Sequence, residues 1–137
     1  MVLPNFIEEA LKNKPLTVFG DGSQLRSFTH VSDAVKAIVE LSLNKKAEGE
    51  IFNIGTDQSI SIKELAMKVK LITRSKSRVK YIAYDKAFGK KSADFEDILC
   101  RIPDISKIKK VINYQPKYDI DSIIGETVKY FLRKQER

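Results

Sequence analysis

The sequence predicts an α/β fold, a small mixed lobe of helices and short strands. Three observations predict it. Apolar residues recur at helical spacing in several segments that open on capping side chains. Short apolar runs lie between these segments, and glycine or proline turns separate them. Because 137 residues suit one compact domain and are too few for two ordinary ones, we expect a single domain over residues 1–137.

The first half of the chain supplies two helices and a strand pair. Pro4 fits the first turn of the first helix. Leu16–Phe19 is a short strand, a Gly-Asp-Gly turn follows it, and we expect Ser27–His30 to be its return strand. Asp33 is expected to cap the second helix. Four apolar residues share one face of that helix: Val31, Val35, Ile38 and Val39.

The second half alternates strands and helices in the same way. The apolar run around Asn53 suits a strand buried in a sheet, and the polar stretch over residues 83–97 suits a loop. The predicted elements are a strand over Ile51–Ile54, a helix opened by the capping box of Ser61 and Glu64, a strand over Arg78–Ile82, a short helix after Asp104, and a last helix from Asp119 or Asp121.

Composition excludes several classes of protein. Hydrophobic residues make up 42% of the chain and charged residues 31%, which is typical of a globular protein rather than a disordered one. No apolar run is long enough to cross a bilayer, and no signal peptide is apparent. The single cysteine, Cys100, cannot form an internal disulfide, so we expect a cytoplasmic protein in which this thiol is half-buried and inert.

The net charge of +7 favours anionic partners. The lysines are spread along the chain, and the densest cluster is Lys107, Lys109 and Lys110 on a predicted helix. A solvated helix face explains such a cluster, and no zinc-finger, aromatic RNA-binding or helix-turn-helix signature accompanies it. A basic nucleic-acid-binding domain is therefore an alternative hypothesis rather than the leading one.

Arg26 is the main candidate binding residue. It follows the glycine turn and precedes a helix, and its planar fork can hold two phosphate oxygens at once. His30 is the only histidine and has no partner set for a metal, so we expect a structural role for it and no metal site. One cluster of acidic residues could suggest paired-carboxylate acid/base chemistry, but a solvated loop explains it better: Asp94, Glu96 and Asp97.

The whole motif resembles the substrate-binding part of a known family. The pattern V-x-G-D-G-x-Q-x-R-x-F-x-x-V-x-D is typical of the NAD-dependent nucleotide-sugar epimerases and dehydratases, which are extended short-chain dehydrogenases/reductases. This chain matches it at Val18, Gly20, Asp21, Gly22, Gln24, Arg26, Phe28, Val31 and Asp33. Further segments fit in the family's order: residues 2–7, 49–55, 61–66 and 101–107.

The resemblance implies a role for five residues in binding a nucleotide sugar. Arg26 and Arg101 match two arginines that close on the diphosphate from opposite sides of the pocket. Phe19 matches an aromatic residue beside the base, and the backbone around Val18 meets it; Gln24 can reach the ribose or phosphate. Members often carry a further arginine where this chain has Cys100. Asp104 either orients Arg101 or caps its own helix, and we favour the cap.

The resemblance also implies that part of the enzyme is missing here. The family's glycine-rich dinucleotide turn and its catalytic Tyr-x-x-x-Lys lie upstream of this region. Only Tyr130 and Lys134 show the second spacing, at the C-terminal end, which we interpret as coincidence. We therefore expect no catalytic residue in this chain, no turnover from it alone, and NAD bound in the parent enzyme by the missing N-terminal Rossmann part.

The leading hypothesis is thus the nucleotide-sugar-binding portion of an NAD-dependent epimerase, dehydratase or decarboxylase, with a UDP-sugar as its expected partner. A stand-alone binding or regulatory module with the same pocket is the alternative. One or two strands are expected to belong to the edge of a larger parallel sheet in the parent. Because an exposed strand edge invites pairing, we expect a homo-oligomer or a swapped dimer.

Overall fold

The computed structural model describes residues 1–88 and 98–135. Helices and short strands alternate along these two ranges, and a 3-10 turn over Lys45–Ala47 follows the second helix. The helices are α1 (Val2–Leu11), α2 (Val31–Ser42), α3 (Ile62–Thr73), α4 (Tyr84–Phe88), α5 (Ser106–Ile112) and α6 (Ile120–Gln135). The strands are β1 (Leu16–Phe19), β2 (Leu25–Arg26), β3 (Ile60–Ser61), β4 (Val79–Ile82) and β5 (Cys100–Arg101). The α/β fold class is confirmed.

The strands form two small sheets. β1 and β4 pair in parallel, with Leu16 opposite Val79 and Phe19 opposite Ile82. In the other sheet β2 lies in the middle, antiparallel to β3 and parallel to β5. The Gly-Asp-Gly turn therefore carries the chain from one sheet to the other instead of closing a hairpin.

The main core lies where α1, β1, α3 and α6 pack together. Its buried side chains are Leu3, Phe6, Ile7, Ala10, Leu16, Val18, Ile62, Leu65, Ala66, Val69, Ile123 and Ile124. Each of the three helices contributes residues at helical spacing, whereas β1 contributes alternate residues because successive strand side chains point to opposite faces. A smaller cluster joins α2 to α5 through Ala37, Ile105, Ile108 and Tyr114.

Several predicted elements are confirmed. β1 has the predicted bounds, and α1 begins at Val2, so that Pro4 lies in its first turn. The capping box is present: the Glu64 N–H donates to the Ser61 hydroxyl at 3.3 Å, and the Ser61 N–H donates to the Glu64 carboxylate at 3.1 Å. These bonds satisfy backbone donors that a helix start leaves open.

Two predicted strands are wrong. Ser27–His30 is not a return strand, because the β ladder is made by Leu25–Arg26 and its partners lie in β3 and β5. Ile51–Ile54 forms no strand, because neither sheet in the described ranges offers it a neighbouring strand. In both cases the local pattern was strand-like, and the pairing partner decided the outcome.

The stretch predicted as a loop over residues 83–97 begins with a short helix, α4. Residues 89–97 lie outside the described ranges, and with them Asp94, Glu96 and Asp97. No helix in the described part of the chain is both long and apolar enough to span a membrane.

Candidate functional site

The glycine turn after β1 is built by close packing. Gly20 and Gly22 both have positive φ, at 69° and 73°. A Cβ on Gly20 would lie 2.6 Å from the Tyr84 ring, and one on Gly22 would lie 2.8 Å from Val18 Cγ1. Asp21 closes the turn by accepting from the Ser23 hydroxyl at 2.7 Å and the Ser23 N–H at 2.9 Å. These bonds, the hydroxyl first, hold the pKa of Asp21 below its ordinary value.

The two predicted arginines are direct neighbours across a pair of strands. In the parallel register of β2 and β5, Arg26 lies opposite Arg101, and Leu25 lies opposite Cys100. Paired residues of adjacent strands are about 4.8 Å apart and project to the same face of the sheet. The structure therefore brings together two residues that are far apart in the chain.

Backbone carbonyls hold the Arg26 side chain at the edge of a small cleft. Its Nη1 donates to the Ile98 carbonyl at 2.7 Å and to the Leu25 carbonyl at 2.8 Å. The cleft has a volume of about 60 Å³ and is lined by Arg26, Phe28, Thr56, Gln58, Ser59, Ile60, Tyr118 and Ile120. Arg101 is exposed and is not one of the described residues around this cleft.

The other three predicted contact residues differ in how accessible they are. Phe19, at the carboxyl end of β1, is 39% exposed, whereas Val18 is fully buried in the main core. Gln24 is buried, and its Nε2 donates to the Phe19 carbonyl at 3.1 Å and to the Tyr84 hydroxyl at 2.8 Å. These bonds connect the turn to α4. Gln24 therefore has a structural role in addition to the predicted contact with the ribose or phosphate.

The structure modifies two predictions about the residues around Arg101. Asp104 accepts from the Ser106 N–H at 2.8 Å, at the first residue of α5, and the bonds from Ser106 lower the pKa of its carboxyl. The N-cap position itself is Ile105, so Asp104 supports the helix start from one residue before the predicted cap. Asn53 donates to the Asp104 carbonyl at 3.1 Å. Cys100 is exposed rather than half-buried, because β5 is an outer strand of its sheet.

Asp33 does not cap α2, contrary to prediction. It is buried, and its carboxylate accepts from the backbone N–H groups of Lys117 and Tyr118 at 3.1 to 3.2 Å. The helix is capped instead by His30, whose Nδ1 accepts from the Ser32 N–H at 3.2 Å. Asp33 thereby fixes the connection that precedes α6, an interaction that only the tertiary fold creates.

His30 and Tyr118 form an aromatic pair beside the Arg26 cleft. Their rings stack with centroids 3.8 Å apart, and His30 Nε2 lies 2.9 Å from the Glu126 carboxylate. Tyr118 also lines the cleft. His30 therefore makes three contacts that support its predicted structural role. Nothing in the sequence indicated that Tyr118, which is far from His30 along the chain, belongs to this site.

Two lysines of the cluster on α5 form surface ion pairs. Lys107 Nζ lies 2.6 Å from the Glu50 carboxylate and Lys109 Nζ lies 2.6 Å from that of Asp57. The lysine hydrogen bonds lower the pKa of both carboxyls. These exposed pairs support the interpretation of a solvated helix face. In the described residues, no group of three or more His, Cys, Asp and Glu side chains could hold a metal ion.

Comparison with known proteins shows which family has this arrangement. The model of the NAD dependent epimerase/dehydratase family matches residues 1–55. The chain is 37% identical over 130 residues to a UDP-N-acetyl-alpha-D-glucosaminuronate decarboxylase of Bacillus cytotoxicus, an alignment that covers 95% of this chain and 39% of that protein. It is 32% identical over 135 residues to UDP-glucuronic acid decarboxylase 1 of Danio rerio, covering 98% of this chain and 30% of that one.

Solved structures agree. The UDP-glucose 4-epimerase of Thermotoga maritima, solved with UDP-glucose, superposes with a TM-score of 0.84 at 28% identity over 100% of this chain and 40% of its own. This chain is a homologue of the NAD-dependent epimerases and dehydratases. The UDP-glucuronic acid 4-epimerase of Bacillus cereus, solved with UDP-glucuronic acid and NAD, has a TM-score of 0.83 at 25% identity, covering 98% of this chain and 40% of that one.

The chain therefore resembles one part of these epimerases and decarboxylases. It spans 39% and 30% of the two relatives named, and 40% of each of the two solved chains. The family resemblance predicted from the Gly-Asp-Gly motif is confirmed, and the homologues bind NAD, as that resemblance implied.

Proposed function

We propose that this chain is the nucleotide-sugar-binding portion of an NAD-dependent epimerase, dehydratase or decarboxylase. In this proposal Arg26 and Arg101 hold the diphosphate of a UDP-sugar. Phe19 and the backbone around Val18 lie beside the base, and Gln24 reaches the ribose or phosphate. In this proposal the chain contributes no catalytic residue and does not turn over substrate alone. NAD is bound by another part of the parent enzyme.

The observation that carries the proposal is the register that pairs Arg26 with Arg101. Two cations on adjacent strands repel each other, so their pairing on one face is costly unless an anion lies between them. In this proposal, one diphosphate supplies two charges and several oxygens that bind both guanidinium groups. Charge-assisted hydrogen bonds of this kind contribute about 1.5–3 kcal/mol each.

The choice of a UDP-sugar is supported by the homologues. The Thermotoga maritima structure contains UDP-glucose, and the Bacillus cereus structure contains UDP-glucuronic acid. Phe19 supports it as well, since its ring is partly exposed at the carboxyl end of β1, next to the glycine turn. A partly exposed aromatic ring offers a flat apolar surface to a nucleotide base.

Calorimetric titration of the chain with UDP-glucose, UDP and a random DNA duplex tests the proposal. We expect binding of both uridine nucleotides. Because each 1.4 kcal/mol is tenfold in affinity, Arg26→Ala and Arg101→Ala should each weaken binding by about 10- to 100-fold. Arg26→Lys should retain part of the affinity, because a lysine keeps the charge but loses the bidentate fork.

Arg78→Ala is the matched control, because Arg78 is an exposed arginine just before β4, at the end of that strand remote from Gly20. It should bind UDP-glucose like the unmodified chain. Duplex binding with a steep salt dependence and no affinity for UDP would favour the nucleic-acid alternative instead. If Arg78→Ala and Arg101→Ala weakened UDP-glucose binding equally, the loss would be due to the change in net charge. That result would contradict the assigned site.

A further inference from the structure

One end of the molecule concentrates basic side chains from two separate parts of the chain. Residues 66–84 contain no aspartate or glutamate, whereas six of these positions are basic: Lys68, Lys70, Arg74, Lys76, Arg78 and Lys80. Hydrogen bonds fasten this segment to the end of α1. The Lys76 N–H donates to Asn13 Oδ1 at 3.1 Å, and the Leu16 N–H donates to the Arg78 carbonyl at 2.9 Å. Lys14 lies between these two attachments and therefore belongs to the same surface.

We name this surface the basic end and define it by five cations: Lys14, Lys70, Arg74, Lys76 and Arg78. None of them forms an ion pair with a described residue, and all except Lys70 are exposed. Glu8 of α1 is already paired with Lys12. On α5, by contrast, Lys107 and Lys109 each face a carboxylate. The positive charge of the basic end is therefore uncompensated by the described side chains.

The helix ends explain only part of this charge. Both α1 and α3 end beside the surface. A helix C-terminus carries about half a negative charge and favours cations near it. Two such ends offset about one positive charge, which is fewer than the five that the basic end presents.

Arg74 occupies a position that does not favour an arginine. It ends α3 with φ at 52° and ψ at 31°, in the left-handed region of the backbone. Glycine is the usual residue there, because a side chain makes this conformation unfavourable. The chain thus has a cation where glycine would stabilise the helix end. A charge kept against backbone preference indicates a use for it outside the helix.

Exposed apolar side chains lie among these cations on α3. Met67 is 58% exposed and Leu71 is 78% exposed, and both share the outer face of the helix with Lys70 and Arg74. Anionic lipid surfaces take this combination, because headgroups attract the cations and the acyl boundary takes the apolar side chains. Nucleic acid fits less well. It is bound by exposed aromatic rings or by an element that enters a groove, and the five cations and their α3 neighbours provide neither.

We propose that the basic end binds the surface of an anionic phospholipid membrane, with Leu71 entering between the headgroups. Lys14 precedes β1 and Arg78 precedes β4, whereas Phe19 and the glycine turn follow β1. Since β1 and β4 are parallel, the basic end and the proposed nucleotide site lie at opposite ends of this sheet. A membrane held by one end leaves the other open to solvent. The proposal goes beyond the proposed function and does not depend on it.

Co-sedimentation of the chain with lipid vesicles tests the proposal. We expect binding to vesicles that contain phosphatidylserine in phosphatidylcholine, and little binding to pure phosphatidylcholine. Each Lys or Arg near an anionic surface contributes about fivefold in affinity, so exchange of three cations for glutamine should weaken binding by about 100-fold: Lys14→Gln, Arg74→Gln and Lys76→Gln. The matched control removes the same charge from exposed positions elsewhere and should keep most of the affinity: Lys45→Gln, Lys46→Gln and Lys110→Gln.

Two leucines separate this surface from other apolar parts of the chain. Leu71 is 78% exposed beside the basic end, and Leu43 is 82% exposed after α2. Leu71→Ala should weaken vesicle binding by about tenfold, because fewer apolar carbons then enter the interface. Leu43→Ala should leave it unchanged. A loss in Leu43→Ala with none in Leu71→Ala would overturn the proposal, because the membrane would then contact a different face.

Arg74→Gly separates a membrane contact from a role in the helix. Glycine suits the left-handed backbone, so the Tm should stay the same or rise while vesicle binding weakens by about fivefold. A lower Tm with vesicle binding retained would assign Arg74 to the helix end and contradict the proposal.

Thermal denaturation also verifies that both triple variants are folded, whatever their affinity for UDP-glucose. Equal losses in the two triple variants would overturn the proposal, and so would equal binding to vesicles with and without phosphatidylserine. Binding of a random DNA duplex by a chain that ignores both kinds of vesicle would overturn it in favour of a nucleic-acid partner.

Discussion

Helices α2 and α3 have the same length and a similar apolar spacing, but opposite surroundings. Each has 12 residues. α3 buries Ile62, Leu65, Ala66 and Val69 in the main core, whereas α2 buries only Ala37 and Asp33 and exposes its valines and isoleucine. An amphipathic pattern thus reveals that a helix has a face to cover. It does not reveal whether the cover lies in the same chain.

The largest expected difference between the two helices comes from a matched pair of valines. Val69 is fully buried in α3 and Val39 is half exposed in α2. Val69→Ala should lower the free energy of unfolding by about 2–3 kcal/mol, because it removes two methyl groups and leaves a cavity. Val39→Ala should change it by less than about 0.5 kcal/mol. Urea denaturation of both variants measures the contrast, and similar losses would mean that α2 is covered in solution.

Asp33 provides the next test, because it is the main polar anchor of α2. Asp33→Ala leaves the partly buried N–H groups of Lys117 and Tyr118 without their acceptor, and we expect a loss of about 1–2 kcal/mol of stability. Asp33→Asn keeps one acceptor oxygen and should lose less. Amide exchange gives a specific readout: Lys117 and Tyr118 should exchange faster in Asp33→Ala. Unchanged exchange at both amides would contradict the clamp.

The capping box gives α3 a smaller but measurable advantage at its start. Ser61→Ala removes the hydroxyl that accepts from the Glu64 N–H, and we expect a loss of about 1 kcal/mol. Ser61→Thr should restore most of the stability, since threonine also accepts at this position. Thermal denaturation of the two variants checks the prediction, and a loss as large in Ser61→Thr as in Ser61→Ala would count against the cap.

The smallest expected effect is the pH dependence of the same cap. The hydrogen bond from the Ser61 hydroxyl, followed by that from its N–H, holds the pKa of Glu64 below its ordinary value. The contribution of Glu64 to stability is therefore complete above the pKa of an unfolded glutamate. It is lost as the pH falls through the lower pKa of the folded state. Glu64→Gln cannot titrate, so its stability should fall less between pH of about 5 and 3 than that of the unmodified chain. Parallel slopes would show that Glu64 does not contribute.

Local patterns in the sequence predicted the helices well, because capping and apolar spacing are local properties. The capping box at Ser61, the strand at Leu16–Phe19 and the bond from Ser106 to Asp104 all follow from a few neighbouring residues. The return strand failed because a glycine turn after a strand is also compatible with a change of sheet. The ladder of Leu25–Arg26 depends on β3 and β5, which are remote in the chain.

The candidate site was predicted from a motif, not from local physics. Composition and spacing alone left Arg26 indistinguishable from a solvated surface arginine, and the family pattern drew attention to Arg101. Their pairing across two strands is a property of the fold. The roles of Tyr118 and Asp33 could not be predicted, because each depends on a contact between the start of α2 and the connection before α6.

A crystal structure of this chain with UDP-glucose bound would test the paired-arginine site directly. We expect oxygens of one diphosphate to lie within about 3.2 Å of guanidinium nitrogens of both Arg26 and Arg101, with the uracil near Phe19. A diphosphate bound at full occupancy elsewhere on the chain, or touching only one of the two arginines, would contradict it.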